Sequence, residues 1–178
     1  MQATQTLDAV PIPIAQPIRG QVSDATSRYA VDLEWNGASL QGRLGGWWFA
    51  EKIRLERSPR GLIGYVSSHS VHLTVHVAYT AEARLELLIG GHGQTQTIEL
   101  GLSDDPKGYW RDHRGEVTPI DCERTDDGYV ISVADRRVSL RADLTPDWVA
   151  ISAGLVSLAA QRAVSSAMLE SLGELREL

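Results

Sequence analysis

One cysteine, Cys122, occurs in 178 residues. A single thiol excludes an intramolecular disulfide and any zinc site built on cysteines, and it fits a reducing compartment. Positive charge is also short: 17 Lys and Arg stand against 23 Asp and Glu, a formal charge of −6. The clustered cations that displace counterions from a nucleic-acid backbone are missing, so nucleic acid is not an expected partner. No apolar run is long enough for a membrane. The longest, Trp148 to Ala160, would rise ~20 Å as a helix against a hydrocarbon core of ~30 Å, and no transmembrane segment is expected. The stretch Met1 to Asp8 has neither the basic start nor the continuous apolar run of a secretory signal, which makes a cytoplasmic location the expectation.

What is present is an ordinary globular balance, 43% hydrophobic and 22% charged, with a marked period of two. Val31, Leu33 and Trp35 alternate with Asp32 and Glu34. Ile53 and Leu55 alternate with Arg54 and Glu56, and Val138, Leu140 and Ala142 with Arg137, Ser139 and Arg141. Each is a half-buried antiparallel strand. Turn chemistry separates the strands: Asn36-Gly37, Gly45-Gly46, Pro59 to Gly61, Gly90 to Gly93, Asp104 to Pro106, Asp127-Gly128. Asn-Gly and Asp-Gly suit tight hairpins, which need positive φ. A weak repeat with an offset of 22 runs through the hairpins: Val31 to Glu34 returns as Ile53 to Glu56, and Gly42 as Gly64, while Glu86 takes the third place. Units of this length are two strands each.

From Thr145 the period changes. Thr145 suits a helix cap, Pro146 the first helical position, and Asp147 the positive end of the helix dipole. Trp148 to Ala160 then offers no polar side beyond Ser152 and Ser157, whose hydroxyls can bond back to helix carbonyls. A helix apolar all round is buried all round. The expected fold is mainly β, an antiparallel hairpin-built barrel or sandwich packed around an apolar C-terminal helix. Its parts are an extended arm over 1–27, rich in proline (Pro11, Pro13, Pro17), a barrel-like domain over 28–160 with the buried helix at 146–160, and an amphipathic helical extension over 161–178. Ile12 to Ile14 in the arm could dock as an edge strand.

The final hairpin, acidic turn and buried helix from Gly128 to Leu158 resemble the tubby C-terminal-like fold shared by tubby proteins, phospholipid scramblases and the LURP-one-related family. The resemblance implies a closed β-barrel threaded by the helix at Trp148 to Ala160. The chain departs from it by continuing 18 residues beyond Ala160 and by lacking, in sequence, the basic cluster that tubby proteins use for phosphoinositide headgroups. No functional residue is carried over.

Four segments could carry chemistry. His69, His72 and His76 would share a metal only on a helix; the alternation of Val71, Leu73, Val75 and Val77 makes the segment a strand, on which His72 and His76 stand ~13 Å apart. Gly90 to Thr95 lacks the Lys-Ser/Thr ending and the following helix of a phosphate cradle, and reads as a hairpin loop. Residues 104–123 gather Asp112, His113, Glu116, Asp121, Cys122 and Glu123, with Tyr109 and Trp110 nearby, a loop that could serve a hydrolase-like enzyme if the groups converged. Trp47 and Trp48 are neighbours on opposite faces of an extended chain, so one needs an outside cover.

No metal, cofactor or catalytic residue is assigned. The function expected from sequence is a non-catalytic binding or assembly module. It would self-associate or bind a protein partner through the stripe Val164, Met168, Leu172 and Leu175, with Trp47 and Trp48 as further contact candidates. A barrel holding a small apolar ligand or lipid is the alternative, and the hydrolase-like reading is the third.

Overall fold

The computed structural model describes residues 16–22, 30–45, 50–67, 72–80, 82–91, 94–134, 136–141, 145 and 148–158. They form twelve strands and one helix. The strands are β1 (Gln16–Val22), β2 (Ala30–Trp35), β3 (Ser39–Gly45), β4 (Ala50–Ser58), β5 (Gly61–Ser67) and β6 (His72–Tyr79), then β7 (Arg84–Gly91), β8 (Gln94–Gly101), β9 (Lys107–Arg111), β10 (Val117–Thr125), β11 (Gly128–Val133) and β12 (Arg136–Arg141). Every strand pairs antiparallel with its neighbours in the chain, and β1 pairs with β12, which closes the barrel. Closure leaves no unpaired sheet edge. The alternation read from sequence is the inside–outside alternation of the wall: Val31, Leu33 and Trp35 are buried, Asp32 and Glu34 exposed.

Part of the expected arm is wall. Gln16–Val22 is the strand that seals the barrel, with Ile18 fully buried. Proline argued against a central strand here, and the register shows how Pro17 is accommodated. β1 pairs with β2 from Gln16 to Gln21 but with β12 only from Arg19 onward, so Pro17 has a ladder partner on one side alone. Pro119 uses the same device, pairing with Tyr109 of β9 while the β11 ladder begins at Ile120. Both are edge-like positions inside a closed sheet, where a missing N–H costs little. Residues 1–15 lie outside the described part.

The helix, α1, covers residues 148–158. Thr145 offers its carbonyl to the Val149 N–H at 3.0 Å, the first intrahelical bond, which puts Thr145 at the cap position read from sequence. Every residue from 149 to 158 is buried. Val149, Ile151, Leu155, Val156 and Leu158 join a single core cluster with the inward side chains of the strands. An element buried on every side and packed against the inner face of a closed barrel occupies its lumen. Eight strands enclose little more than their own side chains, whereas twelve leave room for a helix ~10 Å across. At ~1.5–3 kcal/mol per buried side chain, these five contribute on the order of 10 kcal/mol, comparable to the whole net stability of a domain.

The plug has a direction. Trp148 meets Trp35, at the end of β2, with ring centroids 4.1 Å apart, and the Arg57 guanidinium sits 5.3 Å over the Trp35 ring. Further along, Gly154 faces Leu87 in the middle of β7. The helix therefore enters at the end carrying the β2–β3 and β4–β5 hairpins and runs towards the opposite end, where Glu51, Gln96 and Arg136 occupy inward positions. Of the two serines, Ser157 bonds back to the Ala153 carbonyl at 2.7 Å as expected. Ser152 does not: its hydroxyl is buried without a partner among the described residues, a cost of roughly 1–3 kcal/mol.

The 22-residue repeat has a structural meaning. Gly42 stands opposite Leu33, Gly64 opposite Leu55 and Gly108 opposite Leu100, and a Cβ at any of the three would collide with a carbonyl oxygen of the neighbouring strand. Close approach of backbones at inward glycines bends the sheet into a closed wall. In β7 the series lapses: Glu86 lies between the buried Leu85 and Leu87, and it is the helix that supplies the glycine. A Cβ on Gly154 would sit 2.7 and 3.0 Å from the two methyls of Leu87.

Gly154→Val should therefore destabilise the protein by about 1–3 kcal/mol through overpacking. Adding Leu87→Ala, a truncation that alone costs ~2–5 kcal/mol, should recover part of that loss. Denaturant titration of the double-mutant cycle is expected to give a coupling of ~1 kcal/mol or more, and additive losses would contradict the contact.

Candidate functional site

The residues grouped as 104–123 do not form a long irregular loop. They form the β9–β10 hairpin, held at its tip by Asp112, whose carboxylate accepts from the Arg114 and Glu116 N–H groups at 2.8 Å each. Asp105 accepts from the Arg124 N–H, and the Pro106 carbonyl from the Cys122 N–H. The acids thus serve the turns. Alternation along β10 sends Cys122 inward and Asp121 and Glu123 outward, while His113 is exposed at the hairpin tip, beyond Val117 and so more than about 17 Å along the strand from Cys122. The groups do not converge, which corrects the hydrolase-like reading of this segment. Burial, with a smaller contribution from the Asp105 charge, pushes the Cys122 thiol up to about 12, the opposite of what an attacking thiolate needs. Tyr109 faces outward beside Glu99, whose hydrogen bond raises the phenol above its ordinary value, while Trp110 packs on the core.

His72 and His76 lie on the outer face of β6, exposed and separated by the strand rise, and His72 stacks on Tyr65 at 5.2 Å. Among the described residues no cluster of three metal-ligating side chains exists. Gly91 pairs with Gln94, so the glycine segment is a hairpin connection. Trp47, Trp48, His69, Val164, Met168, Leu172 and Leu175 lie outside the described residues.

The feature that sequence reading missed is on the outer wall. The registers of β12, β1, β2, β3 and β4 align Arg141, Arg19, Asp32, Arg43 and Lys52 in one row across five strands. All five are exposed. Arg19 bonds Asp32 at 3.2 Å. Arg43 and Lys52 face each other directly, as do Arg141 and Arg19, and among the described residues Arg43, Lys52 and Arg141 have no ion-pair partner. Side chains directly opposite on antiparallel strands are ~5 Å apart, and like charges there are destabilising.

A second row, Glu34, Gln41, Arg54 and Tyr65, runs parallel to the first. Between them the backbone at Leu33, Gly42 and Ile53 floors a groove of about 460 Å³, reached by Arg19 and Tyr65. Arg54 is held by Glu56 at 2.9 Å. The groove thus offers two cations without an ion pair among the described residues, Arg43 and Lys52, side by side on a rigid sheet, with the Arg19–Asp32 pair beside them. This arrangement can hold an anion with more than one acceptor oxygen. The four cations of the row are separated in sequence by up to 122 residues, Arg141 to Arg19; only the barrel register collects them.

Iodoacetamide should label Cys122 at pH 8 only as fast as the protein unfolds, and rapid labelling of the folded chain would contradict the inward placement. The thiol's raised value also sets a pH dependence. Below its ordinary value of 9.0 both folded and unfolded chains hold the proton; from there to about 12 only the folded chain does. The thiol's contribution to stability is present below that window and is lost as pH rises through it, a loss that Cys122→Ala should not show.

Comparison of the chain with family models, with curated proteins and with solved structures gave no match.

Proposed function

We propose that this protein is a non-catalytic binding module whose plugged barrel presents a cationic groove on its outer wall to a multiply charged, phosphate-bearing ligand. The observation that carries the reading is the pair of like-charge contacts in one row, Arg141 with Arg19 and Arg43 with Lys52. A chain of net charge −6 has acids to spare, and placing cations opposite each other costs stability that packing does not require. Local conflicts of this kind concentrate where a surface is shaped for a ligand. Phosphate oxygens would bring the missing counter-charge, and guanidinium and ammonium groups held by antiparallel strands are already in place to meet it.

The helix bears on the alternative of an apolar ligand inside the barrel, because it occupies the lumen that such a ligand would need. Recognition therefore belongs to the outside. A closed barrel around a central helix is also the arrangement implied by the resemblance to the tubby C-terminal-like fold, and kinship with that fold is part of the proposal. The cations gathered in the groove make an anionic lipid headgroup one ligand of the right chemistry.

Lys52→Glu separates stability from binding. Opposite Arg43 it replaces repulsion by attraction, and it should raise unfolding stability by roughly 0.2–1 kcal/mol. Titration calorimetry with inositol hexakisphosphate as the probe should show binding to the unaltered chain that weakens with added salt. Affinity should fall by about tenfold or more in Lys52→Glu, as expected for losing a charge-assisted contact. Equal affinity in the two proteins would overturn the assignment.

A further inference from the structure

The barrel end through which the helix enters carries a second concavity, separate from the outer groove. About 540 Å³ of space lies between the β4–β5 hairpin, the end of β6 and the first turn of α1, within the range of small-molecule sites, ~300–1,000 Å³. Its floor is apolar: Ile151 and Leu62 are buried. Trp148 forms a wall and is itself held by its tilted ring contact with Trp35. At the rim stand Arg57, Arg60 and Tyr79, all exposed. No Asp or Glu is among the described lining residues.

We infer that this mouth is a binding site for a small molecule that joins one acid group to an apolar ring-shaped body. The two guanidinium groups are three residues apart on one hairpin, so both belong to the same rim. Guanidinium forks pair with carboxylates through parallel hydrogen bonds. An indole face and an aliphatic floor take an aromatic body by offset stacking and burial. Arg57 is already ordered over Trp35, and that ordering lowers the entropy lost when a ligand is clamped. Because the floor is the plug helix itself, occupancy ties the ligand to the core of the fold and stabilises it by mass action.

Naphthalene-2-carboxylate is a suitable probe, with naphthalene-2-methanol as its neutral counterpart, each titrated calorimetrically into the full chain. The carboxylate should bind and raise the melting temperature, and the alcohol should bind at least about tenfold more weakly, since it lacks the charge-assisted contacts. Arg60→Gln, at an exposed hairpin tip and therefore without effect on folding, should weaken the carboxylate by about tenfold. The outer-wall variant Lys52→Gln should bind it as the unaltered chain does. The inference is overturned if the carboxylate does not bind at millimolar concentration, if the alcohol binds equally well, or if Lys52→Gln weakens binding as much as Arg60→Gln.

Discussion

A helix without a polar side has to be surrounded, and the rest of this structure follows from that requirement. Residues 149–158 bury every position, which a helix lying on one sheet could not do. A sheet can surround it only by closing on itself, and a closed sheet needs enough strands to leave a lumen one helix wide. Twelve strands in a simple meander meet that need, with β1 sealing the gap between β2 and β12. Inward glycines such as Gly42, Gly64 and Gly108 let neighbouring backbones approach where the wall bends. Where β7 presents Leu87 instead, the helix answers with Gly154. Wall and plug are complementary in small and large residues, which is how a core reaches native packing density.

Filling the lumen leaves the outer wall and the barrel ends as the exposed surfaces. On the outer wall, antiparallel register turns residues distant in sequence into neighbours, and the row Arg141, Arg19, Asp32, Arg43 and Lys52 is the clearest product of this. At the entry end, the tilted Trp35–Trp148 pair and Arg57 define a mouth in which aromatic and cationic groups meet. The two surfaces differ in kind. The groove is floored by backbone between two rows of outward side chains, whereas the mouth has Ile151 and Leu62 at its base and Arg57 and Arg60 at its rim.

Much of the fold could be read from sequence because it rests on local chemistry. Alternation marked the strands, Asn36-Gly37 and Asp127-Gly128 marked tight turns, and Thr145 marked the helix start that the Thr145–Val149 bond bears out. Gly42 and Gly64 are legible as a repeat, and Gly20 and Gly108 continue the same 22-residue series. In two segments composition masks the pattern. Pro17 disguised a wall strand because the offset between the two ladders that spares it is a tertiary fact. The acids and prolines at 104–123 looked like a loop, although Asp105, Pro106 and Asp112 are there to tie turns to strands. The cationic row was illegible for a deeper reason. No local signal says that residue 141 will lie beside residue 19; that depends on which strands meet when the barrel closes.

Native-state hydrogen exchange tests the central claim most directly. If the helix is the core of a closed barrel, it cannot open without the wall opening too, so the amides of residues 149–158 should exchange only through global unfolding, with the same protection free energy as the innermost strand amides such as Leu55 and Leu87. Exchange of the helix amides well ahead of those strands, with the wall still protected, would show a helix able to leave the barrel, and would contradict a plug on which the fold depends.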